Sequence, residues 1–158
     1  MRHALTLARH AASIGEVPVG AVVWNLASGE IIATGFNTRE RDHAPQAHAE
    51  HTAIVRAASR LGDWRLTGHA LAVTLEPCPM CAGLIVNARV DRVVYGAPDP
   101  KAGACRSLYR LLDDPRLNHR RRPVAGVLAA ESASLLKDFF RERRLKKPPT
   151  LFDNAIAR

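Results

Sequence analysis

Two short segments constrain this chain more than anything else in it: His48-Ala49-Glu50 and Pro77-Cys78-Pro79-Met80-Cys81. Proline is tolerated in the first turn of a helix and disfavoured inside one, so Pro77-Cys78-Pro79 ends one element and opens a helix running to about Asn87. With Pro79 as the first helical residue, Cys78 is the cap and Cys81 sits one turn on. Both sulfurs then lie at the positive, donor-rich end of the helix, where thiolates are favoured. The chain has three cysteines in all and no secretion signal, so metal or redox chemistry is favoured over a disulfide framework. His48-Ala49-Glu50 opens a second helix, from about Ala47 to Leu61, closed by Gly62.

The rest of the chain alternates strands and helices. An amphipathic helix is expected from Met1 to about Ser13, with Gly15 as its stop, followed by a hairpin of Val17–Trp24 and Ile31–Phe36 around Ala27-Ser28-Gly29-Glu30. Further strands are expected at Ala70–Leu75, Arg92–Gly96 and Val124–Leu128, with a short helix near Leu108–Leu112 and a closing helix from Ser132 to about Lys146. This order predicts an α/β fold of three layers, α/β/α, in which a central mixed sheet of five strands carries helices on both faces. With 158 residues, 47% apolar and 24% charged, and no repeat or linker, the chain reads as one domain over 1–158. No apolar run approaches the roughly 20 residues that cross a bilayer, and a cytoplasmic location is expected.

One imidazole and two thiolates suit Zn²⁺ and leave a fourth tetrahedral position open, the arrangement of catalytic zinc. Glu50, two residues beyond His48, has the reach to act on a water at that position without binding metal, as a proton carrier. Either segment alone is weak, since a lone Cys-x-x-Cys also serves structural zinc and redox chemistry. A structural zinc would want a fourth ligand, and the one other cysteine is Cys105; a redox pair has no need of His48 or Glu50.

The sequence resembles the zinc-dependent cytidine deaminase superfamily, and within it the bacterial tRNA-specific adenosine deaminases. The similarity spans nearly the whole chain: Met1-Arg-His-Ala-Leu, Glu16-Val-Pro-Val-Gly-Ala21, Ala47-His-Ala-Glu50, Asp63-Trp-Arg-Leu66, Val73-Thr-Leu-Glu-Pro-Cys78, Met80-Cys-Ala-Gly83, Arg92-Val-Val-Tyr-Gly-Ala97, Asn118-His-Arg120 and Asp138-Phe-Phe-Arg141. It implies a cytidine deaminase-like fold, a homodimer with one zinc per subunit, and hydrolytic deamination of the wobble adenosine of a tRNA anticodon arm to inosine, with an arginine tRNA as substrate. It implies His48, Cys78 and Cys81 as ligands and Glu50 as the proton shuttle. Asn37 and Val19 match contacts to the flipped nucleotide, Asp99 a position near the RNA backbone, and of Phe139 and Phe140, about 100° apart on a helix, one is free to meet RNA. Arg106 stands where the family often has glycine.

Charge bears on the substrate. A net charge of +8 concentrates in His119-Arg120-Arg121-Arg122 and in Arg141–Lys147, which suits either a polyanion partner or a merely solubilising surface. Two other readings compete with the tRNA enzyme. A deaminase of a free base or nucleotide, of guanine or cytosine type, would share the zinc site but has no use for an RNA-sized basic surface. A zinc-stabilised RNA-binding module has no use for Glu50.

Overall fold

The fold comes from a computed structural model that describes residues 1–146. Its elements are α1 (Arg2–Ser13), β1 (Gly20–Asn25), β2 (Ile31–Phe36), α2 (Ala49–Leu61), β3 (His69–Leu75), α3 (Pro79–Asn87), β4 (Arg92–Ala97) and α4 (Ala129–Lys146). The sheet order is β2-β1-β3-β4; β1 runs antiparallel to β2 and β3, and β3 runs parallel to β4 across the α3 crossover. Helices α1 and α4 touch each other on one face, and α2 and α3 touch each other on the other, giving the expected three layers. The basic stretch expected to end at Lys147, and the tail after it, fall in part outside the described residues.

Small residues set the spacing between layers. Ala49, Ala53 and Ala57 along α2, and Ala4, Ala8 and Ala11 along α1, are all fully buried against the sheet. Opposite them lie Gly35 and Gly20. A Cβ on Gly35 would strike the Ala49 carbonyl, and one on Gly20 would strike the Ala4 carbonyl. The main core fills the α2/α3 side, where Ala21, Val23, Leu71, Val73, Val93 and Tyr95 meet Ile54, Leu66, Ile85 and Val90. Helix α2 ends where Gly62 takes a left-handed conformation (φ 68°) that returns its N–H to the Ser59 carbonyl.

The sheet has four strands where five were expected. Val124 makes one parallel bridge to Val94, donating to the Val93 carbonyl at 2.8 Å and accepting from the Tyr95 N–H at 2.9 Å. The ladder goes no further as a strand because Pro123 has no N–H, while Gly126 (φ 84°) and Leu128 (φ 54°) leave extended geometry and turn the chain into α4. That helix therefore starts at Ala129, ahead of Ser132. The helix expected near Leu108–Leu112 is a single 3₁₀ turn, Leu111–Asp113. β1 begins at Gly20 and not Val17, since Val19 folds back to donate to the Val17 carbonyl.

Two alanine substitutions separate packing from propensity. Gly35→Ala forces α2 off the sheet and should cost about 2 kcal/mol or more, whereas Gly83→Ala, inside α3 with open space around its Cβ, should stabilise by roughly 0.5 to 1 kcal/mol. Denaturant unfolding of the two zinc-loaded variants checks both signs.

Candidate metal centre and active-site cleft

Two helix starts converge here. His48 is the N-cap of α2 (φ −79°, ψ 154°) and Cys78 that of α3 (φ −73°, ψ 172°), with Pro79 the first helical residue and Cys81 in the first turn. Extended backbone at both caps projects the side chains beyond the helix ends toward each other. The His48 Nδ1 lies 3.6 Å from the Cys78 Sγ and 3.6 Å from the Cys81 Sγ. A tetrahedral zinc with bonds of about 2.0 to 2.1 Å to nitrogen and 2.3 Å to sulfur needs an N···S separation of about 3.6 Å, so both N···S separations fit it, and all three donor atoms lie within 4.8 Å of one another. Among the described residues this is the one cluster of three such ligands. Cys105, fully buried, is not part of it, and among the described residues no fourth protein ligand joins the three.

Electrostatics agree with the geometry. The Cys81 side chain and the His48 imidazole hold Cys78 down to about 4, while Cys78 and burial push Cys81 up, so one proton stays on the pair. A cation that takes both sulfurs must displace that proton, and its affinity therefore rises with pH. The hydrogen bond to Cys78 raises His48. Burial lifts the Glu50 carboxyl to about 7, the range in which a carboxyl both accepts and returns a proton at neutral pH.

His48, Glu50 and Cys78 line a cleft of about 210 Å³ whose walls also carry Val19, Asn37, Arg39, Glu76 and Asp99. Six of the eight residues singled out from sequence thus share one cleft, and Cys81 lies buried beside it. Phe140 does not line it. On α4, Phe139 is buried and Phe140 is 42% exposed, with the two rings edge to face at 5.4 Å.

Two buried acids that sequence reasoning left without a role hold the cleft walls. Glu16, 1% exposed, accepts from the Arg41 N–H at 2.6 Å and from the Asn37 amide nitrogen at 2.9 Å. Glu76, 2% exposed, gathers the segment from Asp99 to Ser107. Burial alone would raise Glu76, but hydrogen bonds led by Ser107 hold its carboxyl below the ordinary value. Arg106 enters this arrangement through its backbone N–H, at 2.7 Å, and has no positive φ, so nothing there demands the family's glycine. For the cysteines, Cys78→Ser or Cys81→Ser should lose zinc and Cys105→Ser should keep it, as metal analysis after gel filtration would read directly.

Comparison with known proteins bears on the same residues. Residues 1–97 match the family described as the cytidine and deoxycytidylate deaminase zinc-binding region. The chain is 50% identical to the tRNA-specific adenosine deaminase of Bacillus subtilis, over 93% of this chain and 90% of that protein. It is 43% identical, with a TM-score of 0.81, to a structure from studies of A-to-I editing by tRNA:A34 deaminases, covering 86% of this chain and 97% of that one. A guanine deaminase from Bacillus subtilis is 33% identical with a TM-score of 0.60, over 94% of both chains. A histidine and two cysteines at tetrahedral zinc spacing, on the fold that these relatives share, leave one conclusion: the chain belongs to the zinc-binding cytidine and deoxycytidylate deaminase family.

Proposed function

We propose that this chain is a tRNA adenosine deaminase that converts the wobble adenosine of an anticodon arm, that of an arginine tRNA, to inosine with release of ammonia. The observation that carries the chemistry is Glu50, buried and near neutral in its pKa, beside the N/S/S triangle of His48, Cys78 and Cys81. The 50% identity to a tRNA-specific adenosine deaminase carries the choice of substrate. Zinc held by His48, Cys78 and Cys81, one per subunit, supplies a Lewis acid that brings a water's pKa to about 7.

The protein's own groups do the rest. A Glu50 carboxylate oxygen takes one proton of the attacking water and delivers it to N1 of the adenine as the C6–O bond forms; it then takes the remaining proton from the C6 hydroxyl and delivers it to the amine, so that the C6–N bond breaks, ammonia leaves and the C6 carbonyl of inosine remains. A cleft of about 210 Å³ admits one base and no duplex, so the nucleotide must be flipped out of its stack to enter. The Asn37 amide nitrogen is engaged by Glu16, which leaves its carbonyl oxygen to accept from the nucleotide, while Val19 offers an apolar wall. Asp99 contacts the RNA near its backbone, and Phe140, exposed on α4, stacks on a base outside the cleft.

The single domain works as a homodimer. On α2, α3 and the segment between α2 and β3, exposed Val55 and Trp64 border a shallow apolar groove with Ala58, Leu84 and Ala88, a face suited to a second copy. A tRNA substrate places the enzyme in the cytoplasm; among the described residues no helix is long and apolar enough to cross a membrane.

Incubation with an anticodon stem-loop bearing adenosine at the wobble position should yield inosine; turnover of free guanine or cytosine alone would assign the site to the free-base class instead. Glu50→Ala should abolish the reaction, by several orders of magnitude, with zinc retained. Replacing Arg143, Arg144, Lys146 and Lys147 with Gln should weaken stem-loop binding regardless of loop sequence and flatten its salt dependence by roughly 0.7 log units per lost contact. A titration at several salt concentrations reads this, and an unchanged slope removes these residues from the interface.

A further inference from the structure

Glu76 sits between β3 and α3, two residues before the ligand Cys78, and its backbone N–H extends the β3–β4 ladder by donating to the Ala97 carbonyl at 2.9 Å. Its carboxylate turns the other way, toward the segment after β4. The Oε1 atom accepts from three consecutive backbone N–H groups, those of Cys105 (3.0 Å), Arg106 (2.7 Å) and Ser107 (2.9 Å). The Oε2 atom accepts from the Asp99 N–H at 3.1 Å and from the Ser107 hydroxyl. Successive N–H groups converging on one oxygen form an anion nest, here filled from within the protein. The neighbouring Pro77 carbonyl takes the Ala104 N–H at 2.8 Å.

The loop has been shaped to this carboxylate. A Cβ on Gly103 would overlap the Glu76 carboxyl group, so the backbone passes where only glycine fits. Within the loop, Asp99 caps its own turn by accepting from the N–H groups of Lys101 (2.9 Å) and Ala102 (3.2 Å), and Asp99 and Ala102 form one side of the cleft. The separation between this wall and the metal ligands is therefore held by the Ala104–Pro77 backbone bond and by one side chain, nearly all of whose partners are backbone groups.

We propose that Glu76 is a positioning residue for substrate, its carboxylate locking the Asp99–Ser107 loop to the metal-bearing start of α3 so that the cleft wall and the metal centre stay in register. The proposal rests on the reading of this cleft as the nucleotide site. It acts through the loop and touches neither metal nor base. Displacing a substrate-positioning wall by a fraction of an ångström costs productive binding steeply, whereas a merely structural tie would cost stability and leave the folded enzyme's affinity alone.

The test is Glu76→Gln, which preserves shape but turns one acceptor oxygen into a donor. In the zinc-loaded protein, amide exchange at Asp99, Cys105, Arg106 and Ser107 should accelerate about tenfold or more, and KM for the stem-loop should rise about tenfold with a smaller change in kcat and full zinc content. Unchanged exchange at those amides overturns the proposal. So does faster exchange with unchanged KM, which would make Glu76 structural only, or loss of zinc, which would mean that it acts through the ligands. Should Glu76→Gln fail to fold, Gly103→Ala and Ser107→Ala disturb the same carboxylate from the loop side and must give the same pattern. If the wild-type protein made no inosine from the stem-loop, the substrate assignment would fail while the exchange result still reported on the loop.

Discussion

The structure depends on two helix N-termini meeting at a distance that tetrahedral zinc coordination would require. His48 and Cys78 are both caps, in extended backbone, at the ends of α2 and α3 that face the cleft. Both N···S separations are 3.6 Å, and such values tolerate only tenths of an ångström of error. That precision comes from the layer beneath. Gly35 lets the first turns of α2 press onto β2, and fully buried Ala49, Ala53 and Ala57 keep that contact close. An alanine face gives up apolar area per residue and gains a short, stiff helix-to-sheet distance.

Three buried glutamates show how environment, and not residue type, decides the use of a carboxyl. Glu76 is surrounded by N–H donors that favour its charged form, and its carboxyl is held below the ordinary value. Glu16 meets the N–H of Arg41 and the amide of Asn37 and ties down the opposite wall. Glu50 has burial as its dominant influence and is lifted to about 7. Two acids are thereby made into fixed struts, and the third is left able to exchange a proton. The division follows from whether hydrogen-bond donors to the carboxylate outweigh its burial, as they do at Glu76 and do not at Glu50.

The positive charge is also sorted by the fold. Arg121 pairs with Asp91 at 2.6 Å, Arg116 with Asp114 at 2.6 Å and Arg141 with Asp138 at 2.8 Å, each with its arginine exposed to solvent and of little weight for stability. Arg143 lies over the Phe139 ring at 5.3 Å. Among the described residues, Arg120 and Arg122 make no ion pair, so their charge remains available to a polyanion. Each such pair is neutral, so it leaves the formal excess of +8 unchanged.

What could be read from the sequence was local. Pro79 placed a helix start, Gly62 a helix end, and the spacing of Cys78 and Cys81 put two sulfurs on one turn, all because backbone sterics act over a few residues. The alternation of strands and helices gave the layers for the same reason. The candidate ligand set could be picked out because thiolates and imidazole carry their chemistry in the side chain. What tertiary structure decided was long-range or borne by the backbone. Val124–Leu128 has strand-forming residues, yet Gly126 and Leu128 take positive φ to feed α4, and a single bridge survives. Glu76 and Glu16 had no legible role because most of their partners are N–H groups 23 to 31 residues away, and every non-proline residue has one. Side-chain chemistry is written in the sequence, whereas the choice of which backbone donors meet a buried carboxylate exists only once the chain has folded.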